Sequence, residues 1–404
     1  MPRALTQVLD LPWLHARRAT AWVRILAVMS LAVSLGWIAL SRGGVDPSGK
    51  PLGTDFLCFW SASRLLLAGA PASAVYDAAR LGAMETASFP GVDFTAFPYP
   101  PSFLLFCLPL GLLPYLAALA AWLGATGFAY WRVVRAWLGQ AKGLALPVLA
   151  FPAVLINAGH GQNGFLTTAL FGGGALFLRR RPFVAGVCLG LLAFKPHLGL
   201  LIPVALIASR NGRAFAGAAV AVLGLAAASV LTFGPDPWQA YPAALSTMRL
   251  NVEQGLLATE KLQTLFATLR LWGAPLPLAY AAQAVSGVAA AAAVGIFAWR
   301  RADSPALGPV LIAASLIVSP YLLDYDLVLA AVPLAWLLAD GQARGFRPGD
   351  KAVMLAAYVL PLVSRLLAMN AGLAIGPFVL AALLAVTFRR GWMGDGAEAS
   401  GVRR

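Results

Sequence analysis

Along the chain, apolar stretches long enough to cross a bilayer as helices alternate with short interruptions that are polar or basic. A helix needs roughly 20 apolar residues to cross a hydrocarbon core of about 30 Å, and lipid leaves no other way to satisfy the backbone of an isolated segment. The apolar segments run over 21–40, 101–131, 143–157, 163–179, 182–195, 197–209, 214–233, 276–299, 305–319, 325–339, 351–368 and 372–388. This pattern predicts an all-α polytopic membrane protein of about twelve transmembrane helices. The segment 101–131 is long for one crossing and is interrupted by Pro109, Gly111 and Pro114. It predicts either a sharply broken helix or a short re-entrant piece followed by a full span.

The interruptions sort by charge. Arg17/Arg18/Arg24, Arg132/Arg135/Lys142, Arg179–Arg181, Arg210/Arg213, Arg300/Arg301, Arg344/Arg347/Lys351 and Arg389/Arg390 recur at intervals that put all of them on one side. The positive-inside rule makes that side the cytoplasm and places both termini there. The remaining polar groups then fall together on the outer face: the loop 41–100, Asn157 to Asn163, Lys195 to His197, the segment 234–275, Asp324 to Asp326, and Arg365 to Asn370. Within 41–100, Phe56–Ala68 (FLCFWSASRLLLA) and Ala78–Ala87 predict two short helices, the first lying in the membrane interface. The segment 234–275 opens on the turn-rich FGPDPW and continues from Gln239 to Arg270 as a polar helix. With no internal repeat, 1–404 reads as one membrane-embedded domain, 41–100 being the outer catalytic loop and 234–275 a second outer segment.

Composition narrows the class. Apolar residues make up 60% and charged residues only 11%, against about 25% charged in soluble domains. The net charge of +14 comes from 30 Lys and Arg against 16 Asp and Glu, but it lies in the clusters between spans. Membrane orientation accounts for it without nucleic acid. Cys58, Cys107 and Cys188 have no metal-ligand spacing and imply neither a metal cage nor a disulfide framework. Basic residues ahead of the first apolar run imitate a secretory signal, yet 21–40 is too long for a signal core and reads as the first span.

Asp55 stands directly after the first span, at the head of a helical run. A single carboxylate there can take the proton of an attacking hydroxyl; equally, it can cap the helix that starts at Phe56. Further along come Phe97-Pro98-Tyr99-Pro100-Pro101-Ser102, Gly161-Gln162-Asn163, Lys195-Pro196, and Ser319-Pro320 followed by Asp324-Tyr325-Asp326. In this order and on this side, over roughly 51–335, the motifs resemble glycosyltransferase family 87. The resemblance implies a GT-C fold and a polyprenyl-phosphate sugar, typically mannose, as donor. It also implies Asp55 as base. An extracytoplasmic acceptor hydroxyl, on a glycolipid, polysaccharide or polyol, would displace the phosphate with inversion.

A lipid phosphate needs cations. Lys195 is the expected holder of the phosphate, because a charge ending an apolar span is costly unless paired or facing a polar cavity. His197, His160 and Arg64 could add donors to it. The loop Gly159 to Asn163 offers Gln162 and Asn163 to sugar hydroxyls, or it is a plain helical hairpin turn. Tyr99 is a candidate for stacking on a sugar. Asp324 and Asp326 have the Asp-x-Asp spacing of divalent-metal sites, but Lys and Arg can neutralise a lipid phosphate instead, so no metal or other cofactor is indicated. The competing class is a transporter or flippase for a polar or lipid-linked substrate, which would place ionisable groups near the bilayer midplane. Here they collect at one end of the spans, in keeping with surface chemistry at a cell membrane.

Overall fold

The computed structural model describes residues 11, 13, 15–139, 145–256 and 258–400. Lys142 and the first residues of the span expected over 143–157 lie outside them. Among the described residues there are helices and a few isolated bridges but no strand. The helices are α1 (Ala16–Leu40), α2 (Phe56–Leu67), α3 (Ala78–Ser88), α4 (Tyr115–Leu138), α5 (Pro152–His160), α6 (Gly164–Phe177), α7 (Pro182–Gly190) and α8 (Gly212–Phe233). They continue as α9 (Asp236–Glu253), α10 (Leu265–Leu271), α11 (Leu276–Arg300), α12 (Leu307–Val318), α13 (Ala331–Arg344), α14 (Asp350–Ala371) and α15 (Gly376–Ser400), joined by shorter helical pieces.

Among the described residues, five helical stretches are long and apolar enough to cross a bilayer: Arg17–Leu40, Gly212–Phe233, Leu276–Arg300, Asp324–Arg344 and Asp350–Ala371. Others expected to span are shorter: Gly164–Phe177 and Leu307–Val318, for example, have 14 and 12 residues. At 1.5 Å per residue these reach only about 20 Å, so their lengths do not by themselves establish twelve crossings. The segment expected over 101–131 is broken into separate pieces, and α4 is not among the five bilayer-length stretches. Helical turns over Pro101–Leu112 end at Leu113-Pro114, and α4 follows as a separate helix.

Two predicted elements differ from expectation. Helix α2 does not offer one face to an interface: every residue from Phe56 to Ser63 is buried, and Leu65 with them. The turns of 101–112 cover it, with the Ser63 hydroxyl donating to the Leu108 carbonyl (2.6 Å) and accepting from the Gly111 amide (3.0 Å). A short helix apolar on most of its circumference is a core helix once a partner packs on each side. The polar helix of 234–275 stops at Glu253, and α10 resumes only at Leu265 after a turn through Gly255 at φ +72°.

The bundle has two charged ends. At one, Arg390 is buried between Asp340 and Asp350, with Arg344 on Asp340 and Arg389 on Asp350, tying α13, α14 and α15 together. Helix α15 starts at the other end, where Gly376 touches Gln263, about 20 Å away by helical rise. The candidate site lies at that other end.

Candidate active site

Asp55 is placed by its backbone. The Tyr115 hydroxyl donates to the carbonyls of Leu52 (2.7 Å) and Gly53 (3.1 Å), fixing the turn before it. The Asp55 amide donates to the His160 carbonyl at 3.0 Å. Although Asp55 occupies the N-cap position of α2, its side chain makes no cap hydrogen bond. Its Oδ2 instead accepts from Gln162 Nε2 (2.9 Å) and its Oδ1 from the Thr54 hydroxyl (3.3 Å). Of the two sequence readings of Asp55, the helix cap is therefore not the one observed.

The turn that carries Gln162 is close to the start of α2. Gly161 ends α5 in the left-handed region (φ +64°), and a Cβ there would meet the Phe56 Cβ at 2.5 Å. Only glycine combines this conformation with this approach. The Trp122 indole N–H closes the turn on the Gly161 carbonyl at 3.2 Å.

A cleft of about 1080 Å³ opens in front of Asp55. Its polar end is formed by Thr54, Asp55, His160, Lys261, Asp324 and Arg365. Its sides are apolar, with Leu26, Met29, Val33 and Trp37 from α1 and Leu362, Leu366 and Met369 from α14. Lys50, Asp93 and Thr95 line it as well. Lys261 is brought there by backbone pairing: the Gln263 amide donates to the Leu322 carbonyl (2.8 Å), and the Thr264 hydroxyl to the Pro320 carbonyl (3.1 Å). Asp324, nearly buried, faces His160, Lys261 and Arg365. Arg365 has Glu260 at 3.9 Å and an Nε without a partner, and among the described residues no ion pair involves Lys261. His160 Nδ1 lies 2.9 Å from the Ile156 carbonyl, so that nitrogen carries a proton and donates to it.

The other sequence candidates lie elsewhere. Lys195 does not line the cleft: its Nζ is 2.6 Å from Asp326 Oδ1, with the side chains 3% and 1% exposed. The physical reason is the one that singled it out, since a charge inside a span needs a partner, and Asp326 supplies it. Asp326 is thereby withdrawn from Asp324, and the Asp-x-Asp pair does not aim two carboxylates at one point. His197 holds a buried Nε2 without a partner in the field of this pair. Arg64 lies over Trp60 (5.7 Å) and donates to the Gly111 carbonyl (3.3 Å), away from the cleft. Tyr99 offers no face to a sugar. Its ring packs at 4.6–5.4 Å from those of Phe59, Phe97 and Phe103, and its hydroxyl donates to Gln162 Oε1 at 3.0 Å. Asn163 is fully buried, its side-chain atoms unpartnered.

Sequence reasoning assigned no role to Lys261 or Arg365. The available signal was topological side, because both belong to segments expected on the same face as Asp55.

The model of glycosyltransferase family 87 matches residues 97–320, more than half of the chain. The chain belongs to glycosyltransferase family 87. No curated protein and no solved structure matches it. As a family 87 enzyme with several bilayer-length helices, it is a membrane glycosyltransferase that acts on a sugar donor and an acceptor. The matched stretch contains Tyr99, His160, Gln162, Asn163, Lys195, His197 and Lys261; Asp55, Arg64, Asp324, Asp326 and Arg365 lie outside it.

Proposed function

We propose that this family 87 enzyme transfers a hexose, mannose, from a polyprenyl phosphate to an acceptor hydroxyl with inversion, and that Asp55 is the base. The observation that carries the reading is a carboxylate free of any capping role, at the polar end of a cleft whose sides are apolar. The acceptor oxygen attacks C1 of the sugar as Asp55 takes its proton. The bond from C1 to the phosphate oxygen breaks, its electron pair leaving on the phosphate. A phosphate leaves as a stable anion, so one carboxylate suffices where an ordinary glycosidase uses two. Lys261 and Arg365 hold that phosphate, and Asp324 with His160 contacts sugar or acceptor hydroxyls. The apolar sides take the isoprenoid. The acceptor is extracytoplasmic, a glycolipid, polysaccharide or polyol, with both termini cytoplasmic in a cell membrane, and 234–275 selects it.

The test is transfer of radiolabelled sugar from polyprenyl-phosphate mannose to acceptors in membrane extract, wild type against Asp55→Asn at matched expression. Loss of about 10²- to 10⁴-fold in the variant is expected for removal of a general base. Equal transfer by both proteins would remove Asp55 from the chemistry. No transfer by the wild type would remove mannose or the lipid phosphate from the donor.

A further inference from the structure

Gln162 joins Asp55 to the aromatic core. It is 4% exposed and stands behind Asp55 rather than among the residues that line the cleft. Both ends of its amide are engaged. Oε1 accepts from the Tyr99 hydroxyl at 3.0 Å and from the Asn163 backbone N–H at 3.1 Å, while Nε2 donates to Asp55 Oδ2 at 2.9 Å.

The orientation of that amide is determined by its neighbours. Were it flipped, Nε2 would face the Asn163 N–H, donor against donor, and Oε1 would face the Asp55 carboxylate, acceptor against acceptor. Only the observed orientation satisfies every group in a buried site, where an unpaired polar atom is costly. The surroundings leave no slack: Tyr99 is wedged among Phe59, Phe97 and Phe103, and the Tyr76 hydroxyl holds its carbonyl at 2.8 Å.

We propose that Gln162 is a positioning residue for Asp55, with Tyr99 as its anchor. Its amide holds Oδ2 and leaves Oδ1, which accepts one long hydrogen bond from the Thr54 hydroxyl at 3.3 Å, as the oxygen that meets the acceptor hydroxyl. This rests on the reading of Asp55 as the base. The residue type follows from the task. A neutral donor orients the carboxylate without neutralising it, whereas an arginine or lysine there would weaken it as a proton acceptor, and an acid would compete for the proton.

The experiment compares Gln162→Leu, Gln162→Glu, Tyr99→Phe and Asp55→Asn with wild type in the transfer assay from polyprenyl-phosphate mannose, with thermal unfolding measured on each preparation. For Gln162→Leu the expected result is a kcat lower by about 10- to 100-fold, the scale of a small misplacement of a catalytic group, with KM for donor and acceptor within about twofold. Tyr99→Phe lowers kcat in the same direction by less, since the Asn163 amide still orients Gln162. Gln162→Glu matches the amide in shape and guards against a mere folding defect. Its carboxyl can donate to Asp55 while protonated, and a neighbouring carboxylate favours that state. Its activity therefore falls as pH rises, relative to wild type over the same range. A raised KM at unchanged kcat for Gln162→Leu would put Gln162 on the substrate and overturn the proposal. So would unchanged kcat and KM in all Gln162 and Tyr99 variants with only a lower unfolding temperature. Asp55→Asn separates the two levels: wild-type activity in that variant would remove the base itself and, with it, the role of Gln162.

Discussion

At the residue scale, the sequence singled out polar groups in apolar surroundings but not which of them neutralise one another. Asp55 stands out as a lone carboxylate after a span, and in the structure it opens on the cleft. Lys195 stood out by the same reasoning but is paired with a residue 131 positions away, and Gln162 reaches Asp55 across 107 positions. No local pattern reports such pairs. The exchange of Lys195 for Lys261 and Arg365 leads to a split prediction. Lys261→Ala and Arg365→Ala are expected to raise donor KM by about tenfold each, the loss of one charge-assisted phosphate contact of roughly 1.5 kcal/mol, with the fold intact. Lys195→Ala instead leaves Asp326 buried and unpaired, at a cost of about 3–5 kcal/mol, and should appear as lost thermal stability. Joint replacement, Lys195→Met with Asp326→Leu, restores most of it. Unfolding curves and donor titrations decide: a stable Lys195→Ala protein with weakened donor binding would return Lys195 to the phosphate.

At the scale of elements, helix positions were legible and their surroundings were not. The run at 56–68 and the one at 78–87 are both helices, as their composition and the stop at Gly69 predict. What the run at 56–68 packs against depended on how Pro109, Gly111 and Pro114 fold the next segment back, which periodicity does not encode. Helix α3 carries a group that sequence reasoning passed over. Glu85 is fully buried, and its Oε2 accepts from the Thr95 amide at 2.9 Å, fixing the strip that includes the cleft-lining Thr95. Burial pushes its carboxyl from 4.5 up to about 7. Between those values the folded protein keeps a proton that the unfolded chain has lost, so stability falls as pH rises across that window and levels off above it. The full effect is about 3 kcal/mol. Glu85→Gln keeps an acceptor for Thr95 and cannot ionise. Its unfolding temperature should lose the decline between about pH 4.5 and 7 that wild type shows, and should exceed wild type at pH 8. Parallel curves for the two proteins would mean that Glu85 ionises normally in the fold.

At the scale of the whole molecule, the architecture separates a charged clamp from a reactive end. Arg390, Asp340 and Asp350 join α13, α14 and α15 at the far end, leaving the near ends of α14 and α1 to bound the cleft. Helix α1 has none of its apolar window buried inside the protein, with Trp22, Val28, Leu31 and Ile38 all exposed. Such a surface is untenable in water but costs nothing against lipid. Residues of α1 and α14 together line the apolar part of the cleft, a gap whose polar end holds Asp55. A donor with a long isoprenoid could then stay in the membrane while its sugar phosphate enters the polar end. Filling that gap should discriminate between donors. Val33→Trp, or Leu366→Trp on the facing helix, is expected to raise KM for a long-chain polyprenyl-phosphate sugar by about tenfold, roughly 1.4 kcal/mol of lost contact. The same variants should change KM by less than about twofold for a prenyl-phosphate sugar too short to enter the gap. Kinetics with the two donors separate the possibilities: an equal rise for both would mean that the bulk disturbs the polar end itself, and no rise for either would mean that the lipid chain takes another route.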